Sequence, residues 1–395
     1  MKVIAVLEDE IDVGGGYNQS LNAILQMQRI CSGRFEFEVF TNKKKNNDHL
    51  TKLGLQTEVF SISIVDKLVF QFCLHPWWHQ LQDRLKLLSS FEKALIKHGC
   101  DLVYFVKQTN LSVMLQKLNF MTTLFDLCHR DAPEFPEVRE FGTFQAREHY
   151  FNTHLTGAVT VLTDSPALAD KAVLRYGIDR ERLLPMPFSP APFLDVRVAN
   201  DMKLVLRKYE LAEGYMFYPA QFWAHKNHIR ILEALVILRD SGRHLKAVFA
   251  GGDKGNRAHV EKFVRKMALL EQVRILGFVP AEDMRGLYEG CGLVVMPTYF
   301  GPTNLPPLEA WMIGKPLVYS SYFREQAGEA AICADPDDAK ALALAMETAL
   351  KTETSAKLIE LGALQLQKME KQRADAEVEL VRRLNQFELR RKCWN

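Results

Sequence analysis

The sequence predicts an α/β protein built from two doubly wound domains, and three observations support this fold class. The chain has 395 residues, which is more than one hydrophobic core usually holds, so we expect two domains of roughly 150–200 residues each. Short apolar runs alternate with loops and helix-like segments, a pattern typical of parallel sheets. Residues 183–196 carry four prolines within eight positions, and neither a helix nor a central strand runs through such a segment. The hinge is therefore expected near 190–200.

The first domain is predicted over residues 1–195. It begins with a buried strand at 3–7, a loop of three glycines that includes Gly15 and Gly16, and a helix at 17–30. Short apolar runs favour buried strands. Further strands are predicted at 35–41, 102–106, 122–125 and 158–162.

The second domain is predicted over residues 196–371 and repeats the pattern. Its predicted strands lie at 215–221, 245–252, 273–279 and 293–297, with helices at 227–240 and 258–270. Residues 372–395 are expected to form a last helix, at roughly 372–392, that crosses back to the first domain. Because open α/β sheets bind ligands beyond the carboxyl ends of their strands, we expect the active site in a cleft where the two domains face each other.

Composition excludes several classes of function. With 48% hydrophobic and 25% charged residues, the chain is an ordinary globular protein, and a net charge of +2 does not indicate nucleic-acid binding. Seven cysteines without a C-x-x-C pair argue against a zinc site or a disulfide framework. No metal site is predicted, since no cluster has ligand spacing. The N-terminal apolar run is too short for a signal peptide or a membrane span, so we expect a cytoplasmic protein, soluble or peripheral to a membrane.

Residues 297–316, PTYFGPTNLPPLEAWMIGKP, are the most informative stretch. Pro306 suits the first turn of a helix, and Thr303 or Asn304 can cap it. Such a helix start attracts phosphate, and Glu309 lies about one turn further on, where it can accept hydrogen bonds from ribose hydroxyls. An alternative is a buried helix with a solvated glutamate, and this segment alone supports both about equally.

Three further elements complete a site for a nucleoside diphosphate. A lysine next to a strand end neutralises pyrophosphate, glycines let a ligand approach the backbone, and a main chain after a strand can read a base edge. Alternatively, the lysine is simply solvated and the glycines form turns. In chain order the candidates are Gln221 with Lys226, then Gly251 with Gly252, and then Phe278 with Val279.

This order of motifs resembles the family 4 retaining glycosyltransferases of GT-B fold, of the bacterial polysaccharide and lipopolysaccharide type. The resemblance covers nearly the whole chain and is most specific over residues 215–320. It implies two Rossmann-like domains facing across a cleft, with the donor against the second domain. It also implies Lys226 as the diphosphate lysine, Glu309 as the ribose ligand, and Gly15 and Gly16 in the loop that closes over the diphosphate.

Two departures from the family pattern stand out. The family has two glutamates separated by seven residues, but Gly301 occupies the place of the first, which contacts the sugar hydroxyls. Thr303, Asn304 and Leu305 follow and are expected to contact the sugar instead. In the family a basic residue often precedes the diphosphate lysine by about five positions, and Gln221 occupies that position here.

In the first domain a polar cluster follows the strand at 122–125. Asp126 and His129 are candidate catalytic residues. Asp126 and Asp131 are both candidates for the base that activates the acceptor hydroxyl, and His129 or Arg130 is expected to contact the donor sugar in place of the family's histidine. A salt-bridged loop is the alternative. Residues 68–88 combine aromatic and basic side chains, and the last helix is rich in arginine; both suit a membrane surface, with core packing and a solvated face as alternatives.

The predicted function is retaining transfer of a hexose from a UDP- or GDP-linked donor to a saccharide or polyprenol-linked acceptor in surface polysaccharide biosynthesis, such as O-antigen or capsule. No cofactor is expected besides the sugar nucleotide, and peripheral contact with the cytoplasmic face of the inner membrane is expected. Two alternatives remain, a non-catalytic nucleotide-sugar-binding subunit and an epimerase or phosphorylase on the same scaffold. Sequence leaves open the base, the sugar, the acceptor, the linkage and the oligomeric state.

Overall fold

The computed structural model describes residues 1–8, 15–62, 66, 84, 87–191, 194, 200–301 and 304–394. The chain divides into two compact units. The first comprises Met1–Leu127, Gln145–Pro187 and Gln372–Asn395, and the second comprises Cys128–Phe144 and Phe188–Lys371. Residues 128–144 thus belong to the second unit, although they lie within the range 1–195 assigned to the first domain from sequence. The sequence-based boundaries at 195 and 371 stay a prediction.

The first unit contains a parallel sheet of seven strands in the order β3-β2-β1-β4-β5-β6-β7. Every neighbouring pair is parallel, so each connection crosses back over a face of the sheet. The strands are β1 (Lys2–Leu7), β2 (Glu36–Thr41), β3 (Thr57–Val59), β4 (Leu102–Phe105), β5 (Asn119–Leu124), β6 (Thr160–Thr163) and β7 (Leu183–Pro185).

The second unit contains a parallel sheet of six strands in the order β10-β9-β8-β11-β12-β13. The order reverses between β8 and β11, which is where doubly wound sheets bind ligands. The strands are β8 (Tyr215–Pro219), β9 (Ala247–Ala250), β10 (Val273–Gly277), β11 (Cys291–Met296), β12 (Leu317–Ser320) and β13 (Ile332–Ala334).

Helices cover the faces of the two sheets. In chain order they are α1 (Gly15–Cys31), α2 (Lys44–Lys52), α3 (Ser90–Lys97), α4 (Cys128–Asp131), α5 (Pro136–Arg139), α6 (Thr143–Thr153), α7 (Pro166–Tyr176), α8 (Met202–Lys208), α9 (His228–Asp240), α10 (Arg257–Lys266), α11 (Ala281–Gly290), α12 (Leu305–Ile313), α13 (Arg324–Ala327), α14 (Ala339–Ala349) and α15 (Thr352–Arg391). The last helix begins some twenty residues earlier than the 372–392 prediction. No helix in the described ranges is long and apolar enough to cross a membrane.

Both faces of the first sheet are buried. Val3, Ala5 and Leu7 of β1 pack in one apolar cluster and Ile4 and Val6 in another, as expected for successive side chains of a strand covered on two sides. The first cluster also holds residues from the end of α15, namely Ala376, Leu380 and Leu384. The C-terminal part of α15 therefore packs on the sheet of the first unit.

Candidate functional site

Most of the predicted donor-site residues lie at the carboxyl edge of the second sheet. Gln221 and Lys226 follow β8, Gly251 and Gly252 follow β9, Phe278 and Val279 follow β10, and Asn304 and Leu305 follow β11. Parallel strands place all these segments at one edge. The sequence predicted that the segments after consecutive strands lie together at one edge of the sheet, and the strand order agrees with this.

Three hydrogen bonds hold Lys226 in place, two through its backbone and one through its side chain. Its backbone N–H donates to the carbonyl of Trp223 at 3.2 Å, its carbonyl accepts from the Tyr218 hydroxyl at 2.7 Å, and its Nζ donates to Asn304 Oδ1 at 3.1 Å. The side chain is half-buried. Burial lowers the pKa of Lys226 to about 8, although the charges of Cys128 and Glu137 raise it. A preorganised ammonium group at a strand end is a site for an anion.

Asn304 connects Lys226 to the rest of the sheet edge. It occupies the N-cap position of α12, but its side chain does not cap the helix. Instead its Nδ2 donates to the Gly301 carbonyl and to the Tyr319 hydroxyl, both at 2.7 Å, and Tyr319 in turn donates to Gln326 Oε1 at 2.8 Å. The Asn304 side chain therefore binds Lys226 and the loop before α12. It does not cap the helix, which the sequence had predicted as one of its possible roles.

Gly301 stands at the position where the glycosyltransferases that this sequence resembles carry their first glutamate. Its backbone has a φ of 104°, a conformation reserved for glycine. A Cβ at this position would lie 2.9 Å from Asn304 Oδ1. A glutamate at 301 would therefore strain the backbone and require a shift of the Asn304 side chain that contacts Lys226.

Glu309 lies in the second turn of α12 and is buried, with 4% of its surface exposed. Its Oε2 accepts a short hydrogen bond from the hydroxyl of Tyr288, which is fully buried on α11. Burial raises the pKa of Glu309 to about 7, although the Tyr288 hydrogen bond lowers it. The interpretation of Glu309 as a solvated glutamate is thus wrong, because its carboxyl group is buried.

Lys315, in the G-K-P part of the motif, has a structural role. Its Nζ donates to the carbonyls of Glu289 and Cys291, at 2.7 and 2.8 Å. These carbonyls lie where α11 ends and β11 begins, and a cation there satisfies acceptors that the helix leaves free. This lysine ties α12 to α11.

Gly251 and Gly252 have different surroundings. A Cβ on Gly251 would lie 2.1 Å from the carbonyl oxygen of Ala220, whereas no atom lies within 4 Å of a Cβ on Gly252. Gly251 is therefore required for the close packing of the segments after β8 and β9. Only Gly252 has the open space that a ligand needs to approach backbone.

The remaining predicted donor residues are partly accessible. Phe278 is 60% exposed directly after β10, while its neighbour Val279 is buried. Gln221 is half-buried, and its Oε1 accepts from Trp223 Nε1 at 3.1 Å. Leu305, also buried, starts α12.

The segment 128–144, which we call the clasp segment, contributes a residue that sequence reasoning missed. Glu137 Oε1 accepts from the backbone N–H of His225 at 2.9 Å and forms a short contact with its ring Nδ1. Burial raises the pKa of Glu137, but the hydrogen bonds from His225 outweigh it and hold that pKa below its usual value. A carboxylate thus stands beside the residue that precedes Lys226.

The two catalytic candidates from the first domain have different environments. Arg147 donates to both the carbonyl, at 3.0 Å, and the carboxylate of Asp126, which fits the salt-bridged alternative. His129 is fully buried, with its ring edge-on to Phe144 at 5.4 Å. Its ring is therefore inside the protein rather than on an accessible surface. Asp126 belongs to the first unit and His129 to the second.

Several predicted features lie outside the described residues. Thr303 and most of the aromatic stretch at 68–88 are among them, and Gly15 and Gly16 are described only as the start of α1. In the described part of the chain, no group of three metal-ligating side chains could hold an ion.

The second unit is similar to a described protein family. Residues 208–364, less than half of the chain, match the family described as "Glycosyl transferases group 1". The match spans the strands from β8 to β13 and the motif segments at their ends.

Individual relatives are similar to the chain in sequence, and solved structures are similar to it in fold. The O-antigen chain mannosyltransferase B of Escherichia coli is 27% identical over 227 residues, 56% of this chain and 58% of that protein, so the chain spans little more than half of that relative. The structure of Anabaena HepE in complex with UDP and glucose superposes with a TM-score of 0.71 and 16% identity, covering 98% of this chain and all of the other. WaaG, a glycosyltransferase involved in lipopolysaccharide biosynthesis, gives 0.65 and 13%, covering 96% and 99%. The predicted GT-B fold is confirmed, and membership of family 4 stays a prediction.

Proposed function

We propose that the protein is a retaining glycosyltransferase that moves a hexose from a nucleoside diphosphate donor to a saccharide or lipid-linked acceptor in surface polysaccharide biosynthesis. The observation that carries the proposal is Lys226. Its ammonium group is held by Asn304 at the carboxyl edge of the second sheet, beside the start of α12. The group 1 domain and the named role of the E. coli relative support it. Retention comes from the sequence resemblance.

The charge requirements of this reaction match the residues present. The leaving diphosphate gains negative charge in the transition state, and a fixed ammonium group with helix N-terminal amides stabilises that charge. In this proposal Lys226 and the start of α12 supply the stabilisation, so transfer proceeds without an added divalent ion. Glu309 accepts hydrogen bonds from the ribose hydroxyls in its ionised form, and Asp126 serves the acceptor side.

The identity of the substrates is the finer part of the proposal. The E. coli relative is named a mannosyltransferase and HepE was solved with UDP and glucose, so mannosyl and glucosyl donors on GDP and UDP are the first to test. A polyprenol-linked glycan acceptor would bring the protein to the cytoplasmic face of the inner membrane. Arginines of α15 are proposed to contact anionic lipid there.

The proposal predicts the effect of Lys226→Ala. Loss of a charge-assisted contact to diphosphate should weaken binding of the matching nucleotide by roughly ten- to a hundredfold, with a larger loss of turnover. Calorimetric titration of the purified protein with UDP, GDP, dTDP, ADP and CMP, without metal, identifies the nucleotide. The same titration on the variant measures the loss.

Lys246→Ala is the matched control, because Lys246 is exposed at the amino end of β9, away from the strand ends that bind ligands. It should leave affinity and turnover unchanged. Equal affinity of wild type and Lys226→Ala would remove the diphosphate site. Nucleotide binding without sugar transfer to any acceptor would instead favour a binding subunit.

A further inference from the structure

The clasp segment is built into the second unit by an apolar cluster. Cys128, Ala132 and Val138 are buried against Phe300, with Phe135 and Tyr299 packed alongside. Tyr299 and Phe300 lie three and four residues after the end of β11, in the loop that leads to Asn304. The clasp segment is therefore anchored on the same loop that holds the Lys226 side chain.

One polar contact joins the clasp segment to the turn that carries Lys226. Glu137 contacts both the backbone N–H and the ring of His225. Only 8% of the Glu137 side chain and 9% of the His225 side chain are exposed. Because one carboxylate binds two groups of the same residue in a buried place, it restrains the backbone and the ring together.

His225 is restrained on its other sides as well. Its ring stacks on Phe300, with centroids 3.7 Å apart and an interplanar angle of 17°. Its carbonyl accepts from the Tyr299 N–H at 3.0 Å and from Thr298 Oγ1 at 3.3 Å. Movement at His225 would be transmitted directly to Lys226, the next residue.

We propose that Glu137 is a positioning residue of the diphosphate site: through His225 it fixes the turn at Ala224–Lys226 so that Lys226 faces the nucleotide. This inference rests on the proposed role of Lys226. It gives the clasp segment, which the chain contributes from between β5 and α6, a part in donor binding. Glu137 does not touch the donor and acts through its neighbours.

The charges around Lys226 make the role measurable. Glu137 and Cys128 raise the pKa of Lys226 against the effect of burial. Burial lowers the pKa of His228, and the charge of Lys226 lowers it further. Asn304 is the neutral hydrogen-bond partner of Lys226. Glu137 is thus a negative charge that helps to keep the ammonium form, and removing it should lower the pH at which Lys226 loses its proton.

The test compares nucleotide affinity between pH 6.5 and 9.5 for wild type, Glu137→Gln and Glu134→Gln. Affinity of the wild type should be full below pH 8 and fall by up to about tenfold per pH unit above the Lys226 pKa. Glu137→Gln should bind roughly tenfold more weakly at pH 7.5, and its decline should begin at a lower pH. Glu134, exposed on the same segment, is the control and should follow wild type.

A second variant separates positioning from folding. His225→Phe keeps a ring to stack on Phe300 but loses the Nδ1 contact, so it should show a smaller loss of affinity than Glu137→Gln. Thermal unfolding of each variant shows that it is folded. If Glu137→Gln binds nucleotide with wild-type affinity and the wild-type pH midpoint, while Lys226→Ala loses binding, this inference is wrong and the proposed function stands. If the wild type binds no nucleotide, both fail.

Discussion

Two ionisable side chains, the half-buried Lys226 and the buried Glu309, dominate the site at the scale of single residues. Burial lowers the pKa of Lys226 to about 8 and raises that of Glu309 to about 7. Both shifts disfavour the charged forms. In the proposed donor complex the diphosphate would favour the ammonium form of Lys226, and ribose hydroxyls would favour the carboxylate of Glu309. Nucleotide binding should therefore be linked to proton exchange near neutral pH.

Glu309→Gln tests the buried carboxyl group without a ligand. The pKa of the Glu309 carboxyl group is about 4.5 in the unfolded chain and about 7 in the folded protein. The neutral carboxyl group therefore contributes its full stability below about pH 4.5, and this contribution is lost as the pH rises through about 7. Glutamine stays neutral and keeps an acceptor for Tyr288. From pH 5 to pH 8 the variant should gain about 2.5 kcal/mol in unfolding free energy relative to wild type.

Urea unfolding of both proteins at the two pH values measures this difference. Because Gln cannot titrate, any change with pH in the gap between the two proteins reports the wild-type carboxyl group. A gap that stays constant from pH 5 to pH 8 would show that Glu309 is ionised throughout. The same variant should bind the nucleoside part of the donor more weakly.

Sequence reasoning singled out Lys226 because it follows a strand end, and Glu309 because it lies about one turn into a proline-started helix; both roles stay predictions. It could not find their partners. Asn304 lies 78 residues from Lys226 and Glu137 lies 88 residues from His225, and no local pattern connects such positions. The side-chain duty of Asn304 was likewise hidden, because an Asn before a proline-started helix predicts a cap while the tertiary contacts here prevail.

At the scale of elements, the ends of neighbouring strands determine which backbone a ligand can reach. The segments after β8, β9 and β10 are laced together by main-chain hydrogen bonds. Phe222 N–H donates to the Gly252 carbonyl at 3.0 Å, and Gly251 N–H donates to the Gly277 carbonyl at 2.8 Å. These hydrogen bonds hold the backbone of this edge in place without a ligand. Less conformational entropy is therefore lost when a ligand binds.

Substitution by alanine should destabilise the protein far more at Gly251 than at Gly252, the two adjacent glycines after β9. Gly251→Ala forces a Cβ into the Ala220 carbonyl, and the β8 and β9 ends must separate, so unfolding free energy should fall by about 3 kcal/mol or more. Gly252→Ala has open space and should cost less than about 1 kcal/mol. If the donor approaches this backbone, Gly252→Ala should still weaken nucleotide binding.

Denaturant unfolding and calorimetric titration of the two variants separate these effects. Each glycine serves as the control for the other, since the chemical change is the same one residue apart. Equal stability of both variants would contradict the packing role of Gly251. Wild-type nucleotide affinity in Gly252→Ala would exclude approach of the donor to that residue.

Elements differ in how well sequence predicts them, for physical reasons. Nine of the thirteen described strands were placed to within a few residues, because a strand buried on two faces is a continuous apolar run. The short strands β3, β7, β12 and β13, of three or four residues each, were not predicted. The start of α15 was missed, since its first half is polar and follows α14 after a short turn, with no proline to mark the boundary. The clasp segment was assigned to the first domain because chain order is a poor guide to packing where a chain leaves one unit and returns.

At the scale of the whole molecule, each unit has its own core, and the chain enters the first unit three times. The last entry, residues 372–395, completes the cover of the first sheet through Leu380 and its neighbours. Lys226, Glu309 and the start of α12, which are proposed to bind the nucleotide, belong to the second unit. Stability of the first unit and nucleotide binding by the second should therefore respond to different substitutions.

Leu380→Ala tests this independence. Leu380 is fully buried on α15, and truncation of such a side chain costs about 2–5 kcal/mol, which should lower the unfolding temperature of the first unit by roughly 5–15 °C. Val378→Ala, on the exposed side of the same helix with 72% of its surface accessible, should change it little. The matching nucleotide should raise the unfolding temperature of the second unit equally in all three proteins, because a ligand stabilises only the unit that binds it. Scanning calorimetry with and without nucleotide measures both effects, and a single transition that Leu380→Ala lowers and nucleotide raises as one would show instead that the two units unfold together.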